Sequence, residues 1–197
     1  FGKKTKSSPM GVIDRPINPI CIALAAEATF VARSVDRHTE HLAYVIERAA
    51  KHKGVAFVEV FQNCNIFNDG AFEHFADRAV KDDRMVGLEH GKSLIFGKNH
   101  DKGIRLRGTK LEVVTLGNGV KEDELLVFDE HDPDSAIAYM LSRMDYPEYP
   151  VPVGVFRDVE KPTYDELLNQ QIESAIAKLG PGDLEKLLRG GDTWVVE

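Results

Sequence analysis

Cys64 closes the run Val55-Ala56-Phe57-Val58-Glu59-Val60-Phe61-Gln62-Asn63-Cys64, in which apolar, β-branched and aromatic residues give way to polar ones. A thiol at such a place has two readings. It is a small buried hydrophobe, or it is a thiolate, stabilised by the N–H groups of a loop, that serves as ligand or nucleophile. An iron–sulfur cluster is held by a set of thiolates rather than by one, so a ligand role needs partners from outside these residues. A nucleophile role needs a basic histidine. No histidine is fixed beside Cys64 by spacing, although His41, His74 and His90 could approach it in space. The other cysteine, Cys21, lies within Ile-Cys-Ile-Ala-Leu-Ala-Ala and reads as a buried small side chain.

Two further groups have residue types that bind metals. His38-Thr39-Glu40-His41 sets two histidines three positions apart at a helix start, whereas zinc peptidases space them by four with Glu after the first; a solvated helix face is the expectation. Asp129-Glu130-His131-Asp132 with Asp134 is an acidic cluster of the residue types that take a hard cation. It lacks the alternate-residue spacing and closing Glu of a calcium loop, so a loop capping the next helix is expected. The chain contains no G-x-G-x-x-G, no G-x-x-x-x-G-K-[ST] and no G-x-S-x-G, which removes self-contained nucleotide-binding and α/β-hydrolase enzymes.

The elements that must position Cys64 follow from periodicity. Residues 1–19, broken by glycine and proline, are an extended loop; Asn18-Pro19 opens a helix over Ile20–Ala28. Phe30–Val35 is a short strand, Asp36 or Thr39 caps a helix whose apolar face is Leu42, Val45, Ile46 and Ala49, and Val55–Phe61 is a buried parallel strand. Strand, helix and strand make a βαβ unit, so the fold class is α/β, with Cys64 at the carboxyl end of a strand, where such sheets bind ligands.

After a turn at Asn68-Asp69-Gly70, a helix is expected over Ala71–Arg78 with Phe72 and Phe75 inward. Lys92–Phe96, Ile104–Arg107 and Leu111–Leu116, separated by Gly97, Gly103 and Gly108, read as antiparallel strands. A helix begins near Asp132-Pro133-Asp134 and covers Ala136–Met144; Val153–Asp158 is a strand; a capping box at Thr163–Glu166 opens a long helix, and Asp183–Leu188 is a last short one. These C-terminal helices either dock on a partner or cap their own core. The composition changes near residues 88–93, which places a boundary there.

A formal net charge of −7 argues against a nucleic-acid surface. Two cysteines give no disulfide framework, and no apolar run approaches the roughly 20 residues of a membrane span. A cytoplasmic protein is expected. Phe1 in place of Met suggests a piece of a longer polypeptide.

Taken together, Lys6–Pro19, Ala25–Arg33, Glu59–Gly70, Gly154–Tyr164 and Gly191–Trp194 resemble the β subunit of the 2-oxoacid:ferredoxin oxidoreductases, most closely the 2-oxoglutarate type. The resemblance covers essentially the whole chain. It implies an incomplete thiamine-diphosphate-binding fold over residues 1–92, a parallel sheet with helices, and a mixed α+β extension over 93–197. It also implies an enzyme that decarboxylates a 2-oxoacid with coenzyme A, using thiamine diphosphate and Mg2+. Electrons pass through a 4Fe–4S cluster to ferredoxin, and an α subunit is the partner in a heterodimer or a dimer of heterodimers.

In the family three N-terminal cysteines and one in a strand-end Cys-x-x-Phe-Asn loop hold the cluster. Cys64, followed by Phe67 and Asn68, maps onto the last of these and is the one cofactor and metal residue the resemblance transfers. The three other cysteines and the Gly-Asp-Gly-Asp…Asn segment that binds thiamine diphosphate are missing, so catalytic residues are expected upstream of Phe1 and the chain is expected to be inactive alone. Pyruvate as substrate, a non-catalytic interaction module retaining the fold, and an unrelated thiol enzyme are the alternatives.

Overall fold

The computed structural model describes residues 2–117, 119–190, 194 and 196; Phe1 and the Gly191-Asp192-Thr193 part of the resemblance lie outside them. The chain divides into two units, residues 1–160 and 161–197.

In the first unit, helix α1 (Pro19–Ala25) starts where Asn18 accepts a hydrogen bond from the Cys21 backbone N–H. Strand β1 (Phe30–Val35) is buried at every position. Helix α2 (Thr39–Lys51) follows, and strand β2 (Ala56–Phe61) pairs with β1 in parallel, Phe30 opposite Ala56 and Val35 opposite Phe61. This is the expected βαβ unit. Two details differ. His38, not Asp36 or Thr39, stands at the N-cap of α2, and Ile46 is exposed while Val45 alone of its face is fully buried. β2 is half-buried, because it lies at the sheet edge; the strands buried on both faces are β1 and its neighbour over Val151–Asp158.

Gly70, with φ 72°, turns the chain into α3 (Glu73–Ala76) and α4 (Lys81–Arg84). The helix expected over Ala71–Arg78 is thus a single turn. Phe72 and Phe75 do point inward, with their rings 4.7 and 5.5 Å from that of Phe61.

β3 (Met85–Leu88) is followed by a separate antiparallel sheet of β4 (Ile95–Phe96), β5 (Lys102–Arg107) and β6 (Lys110–Thr115). Helix α5 (Ala136–Ser142) begins later than Asp132, since Asp132 and Asp134 accept from N–H groups two residues on and hold that stretch as turns. β7 (Val151–Asp158) then enters the first sheet, which runs β2-β1-β7-β3. β7 is antiparallel to β1 and parallel to β3, so the sheet is mixed rather than purely parallel.

The main core gathers Ile20, Leu24, Val31, Val86, Phe96, Ile104, Phe128, Leu141 and Phe156. It draws on residues before and after position 92, where the strands change from the first sheet to the antiparallel one.

The second unit carries helix α6 (Tyr164–Leu179) and helix α7 (Leu184–Leu188). The capping box forms as its spelling requires: Thr163 accepts from the Glu166 N–H, and Glu166 accepts from the Thr163 N–H at 3.0 Å. No helix among the described residues is long and apolar enough to cross a membrane.

Candidate functional site

β2 ends at Phe61, and the loop after it is organised by Asn63. The Asn63 N–H donates to Asp36 at 2.9 Å, its amide donates to Asn65 at 2.7 Å and Asp69 at 2.9 Å, and its carbonyl accepts from the Gly70 N–H at 2.9 Å. The Asn63 side chain therefore bridges both ends of the loop, and its backbone N–H anchors the loop to Asp36, just after β1. Cys64 lies inside this ring, with its carbonyl accepting from the Asn68 N–H at 2.9 Å.

The Cys64 thiol is held below the usual thiol range, chiefly by the backbone N–H groups of Phe67 and Ile66, with a smaller contribution from that of Asn68. This is the electrostatic setting a thiolate needs. Lys3 donates to the Phe67 carbonyl at 3.3 Å and pairs with the Asn68 side chain, bringing the N-terminal segment over the loop. Ile66 and Phe67 are more than four-fifths exposed.

No histidine pairs with Cys64 among the described residues. His41 bonds to the Ser34 hydroxyl at 2.8 Å, the His74 ring packs against Phe75, and His90 lies against His131. A cysteine–histidine nucleophile pair is therefore not assembled among the described residues. Cys21 is half-buried, not fully buried, with its sulfur 3.1 Å from the Ser142 hydroxyl.

Beside the loop lies a cleft of about 400 Å³ whose walls include Arg33, Glu59, Phe61, Phe72, His74 and Arg143. Arg33 and Glu59 close to 2.6 Å with side chains 5% and 15% exposed, and the guanidinium stacks 5.0 Å from the Phe61 ring centre. Nothing in the sequence picks out this pair, because it depends on parallel register.

The two candidate metal groups fare differently. His38 and His41 are half-buried rather than solvated, and burial lowers the pKa of both rings. The acidic stretch does form turns before α5, but it also receives His90, which the sequence does not connect to it.

Residues 1–60 match the family described as thiamine pyrophosphate enzyme, C-terminal TPP binding domain. The 2-oxoglutarate oxidoreductase subunit KorB of Mycobacterium tuberculosis is 40% identical across the whole of this chain, which covers 53% of that relative. This chain resembles that subunit along its whole length. A 2-oxoacid:ferredoxin oxidoreductase β subunit from Saccharolobus solfataricus is 42% identical over 80 residues, 41% of this chain and 26% of that relative. Among solved structures, a 2-oxoglutarate:ferredoxin oxidoreductase from Magnetococcus marinus shares the fold, with a TM-score of 0.58 at 19% identity over 95% of this chain and 49% of its own. The chain thus spans about half the length of the KorB relative that it matches throughout.

Proposed function

We propose that this chain is part of the β subunit of a 2-oxoglutarate:ferredoxin oxidoreductase, and that Cys64 supplies one thiolate ligand to a 4Fe–4S cluster. The observation that carries the proposal is the place of Cys64 in the Asn63-organised loop at the carboxyl end of β2, where backbone N–H groups lower its thiol pKa, in a chain similar throughout to a 2-oxoglutarate oxidoreductase subunit. Hydrogen bonds from backbone N–H groups to a ligand sulfur are also a recognised means of tuning a cluster's potential. The donor set fits one corner of such a cluster, and the remaining ligands must come from elsewhere in the protein.

Thiamine diphosphate with Mg2+ would supply the electron sink for decarboxylation, and the cluster a one-electron path to ferredoxin. The residues of this chain have positioning roles. Asn63 fixes the loop that presents the thiol, Lys3 ties the N-terminal segment to it, and Ile66 and Phe67 give it an apolar skin. An α subunit, ferredoxin, coenzyme A and the 2-oxoacid are the proposed partners, in a heteromer of the cytoplasm; the cleft beside Arg33 is lined well enough with charge to face one of them. Residues 1–92 are assigned to the thiamine-diphosphate-binding domain and 93–197 to the extension.

The experiment is Cys64→Ser in the intact subunit, coexpressed anaerobically with its partner. Loss of iron–sulfur absorbance and ferredoxin reduction, with thiamine diphosphate still bound, is the expected result. An unchanged cluster and rate would return Cys64 to an ordinary thiol.

A further inference from the structure

At the far end of β7, His90, Glu130 and His131 each place a potential ligand atom within 4.8 Å of the others. Backbone pairing brings them together: the Gly91 N–H donates to the Phe128 carbonyl at 2.8 Å, Phe128 N–H to Lys92 at 3.0 Å, and Leu94 N–H to Leu126 at 3.0 Å. His90 is thereby carried beside Asp129, though the two are 39 positions apart by number (129 − 90).

The hydrogen bonds around the cluster orient it for a cation. The His131 Nδ1 lies 2.6 Å from the Asp158 carbonyl, which only accepts, so Nδ1 carries the proton. In the neutral ring this leaves the lone pair on Nε2, which faces Glu130 Oε1 at 3.5 Å. Two acceptors set opposite each other favour a cation between them. Atoms bound to a tetrahedral zinc at about 2.0–2.2 Å stand about 3.3–3.6 Å apart, which this separation matches.

Glu130 is fixed in that pose. Its side chain is 7% exposed, and its other oxygen accepts from Arg48 at 2.9 Å, while Arg48 also pairs with Asp158. Asp129 Oδ1 accepts from the His131 backbone N–H at 2.9 Å and lies 3.1 Å from His90 Nδ1, so one carboxylate steadies both histidines. The two imidazoles are 4.7 Å apart and tilted by 54°, and each is about half exposed. An ion can therefore enter, and water can complete its coordination. Asp132 and Asp134, by contrast, are turned to their own backbone, so an oxygen cage for a hard cation does not form.

We infer that His90, Glu130 and His131 form a binding site for a divalent metal ion of borderline softness, with Zn2+ as its representative. Two imidazoles and one carboxylate suit such an ion better than Ca2+ or Mg2+. Bound there, it would cross-link the segment after β3 to the loop against the end of β7. The inference is independent of the role of Cys64.

Zn2+ titrated calorimetrically into the metal-free chain should bind with one-to-one stoichiometry. The test variant is His90→Ala, because the His90 side chain is exposed and its loss leaves the core intact. His90→Ala and His131→Ala should each weaken binding at least about tenfold, and His90→Cys should restore most of it. Co2+ should give a visible absorption spectrum that disappears in His90→Ala. No stoichiometric Zn2+ binding by the folded chain, a loss below about tenfold in His90→Ala, or a Co2+ spectrum indifferent to that change would each overturn the inference.

Discussion

Arg33 on β1 and Glu59 on β2 are register partners across the parallel pairing, and their side chains meet at 2.6 Å. Parallel strands place the pair side by side on one face, where Phe61 and Phe156 cover the guanidinium at 5.0 and 5.4 Å from their ring centres. The pair therefore staples the edge strand that leads to Cys64 onto the buried strand β1.

Glu59→Gln leaves Arg33 buried without its counter-charge and should cost about 3–5 kcal/mol in urea unfolding. Replacing both residues by Met and Leu should cost much less, because no charge is then stranded. Equal losses in the single and double variants would show that the pair matters through packing alone.

Cys64 should alkylate with iodoacetamide faster than Cys21, with a pH midpoint below that of an ordinary thiol. The sign follows from the loop N–H groups, which stabilise the thiolate and lower the pKa. A midpoint at or above the ordinary thiol value would rule out that stabilisation by the loop N–H groups.

Asn63→Ala removes the bonds to Asn65, Asp69 and Gly70 that shape this loop. The alkylation midpoint of Cys64 should move back towards the ordinary value, while global stability falls by only about 0.5–1.5 kcal/mol per lost bond at most, since the loop is largely exposed. A midpoint unchanged by the substitution would mean that the loop holds its shape without Asn63.

His41 is half-buried against Ser34, and burial, with a smaller contribution from His38, lowers its pKa. The folded state then binds its proton less readily than the unfolded chain. This contribution to stability is fully present above the unfolded value near 6.5 and is lost as pH falls below it. Urea midpoints compared at pH 7.5 and about 5.5 should therefore differ less in His41→Gln than in the parent chain. A parallel shift of both proteins would assign the pH dependence to other groups.

Gly154 has φ 126° at the point where β7 runs between β1 and β3, and a Cβ built there would lie 2.6 Å from the Leu88 carbonyl oxygen. Gly154→Ala should destabilise the first unit by at least about 1–3 kcal/mol of backbone strain alone, visible as a lower urea midpoint. A midpoint within error of the parent would show that β7 can shift without cost.

Local pattern determined much of this protein. The run from Val55 to Phe61 with the helix before it sufficed for a βαβ unit, Thr163 and Glu166 spelled their capping box, and Gly97 and Gly108 punctuated the antiparallel strands, because each depends on residues close in sequence; Gly103, read as a third break, instead lies within β5. The position of Cys64 at a strand end was legible for the same reason. Three things were decided only by tertiary structure. β7 inserts between β1 and β3, which makes the sheet mixed and leaves β2 at its edge; strand order is a matter of long-range pairing that no local window contains. Prolines 150 and 152 obscured the start of that strand, since a missing N–H reads as a break. Finally, Arg33 met Glu59 through register, and His90 met Glu130 and His131 through backbone pairing of segments far apart in the chain; periodicity says which face a side chain occupies but not which distant side chain shares it.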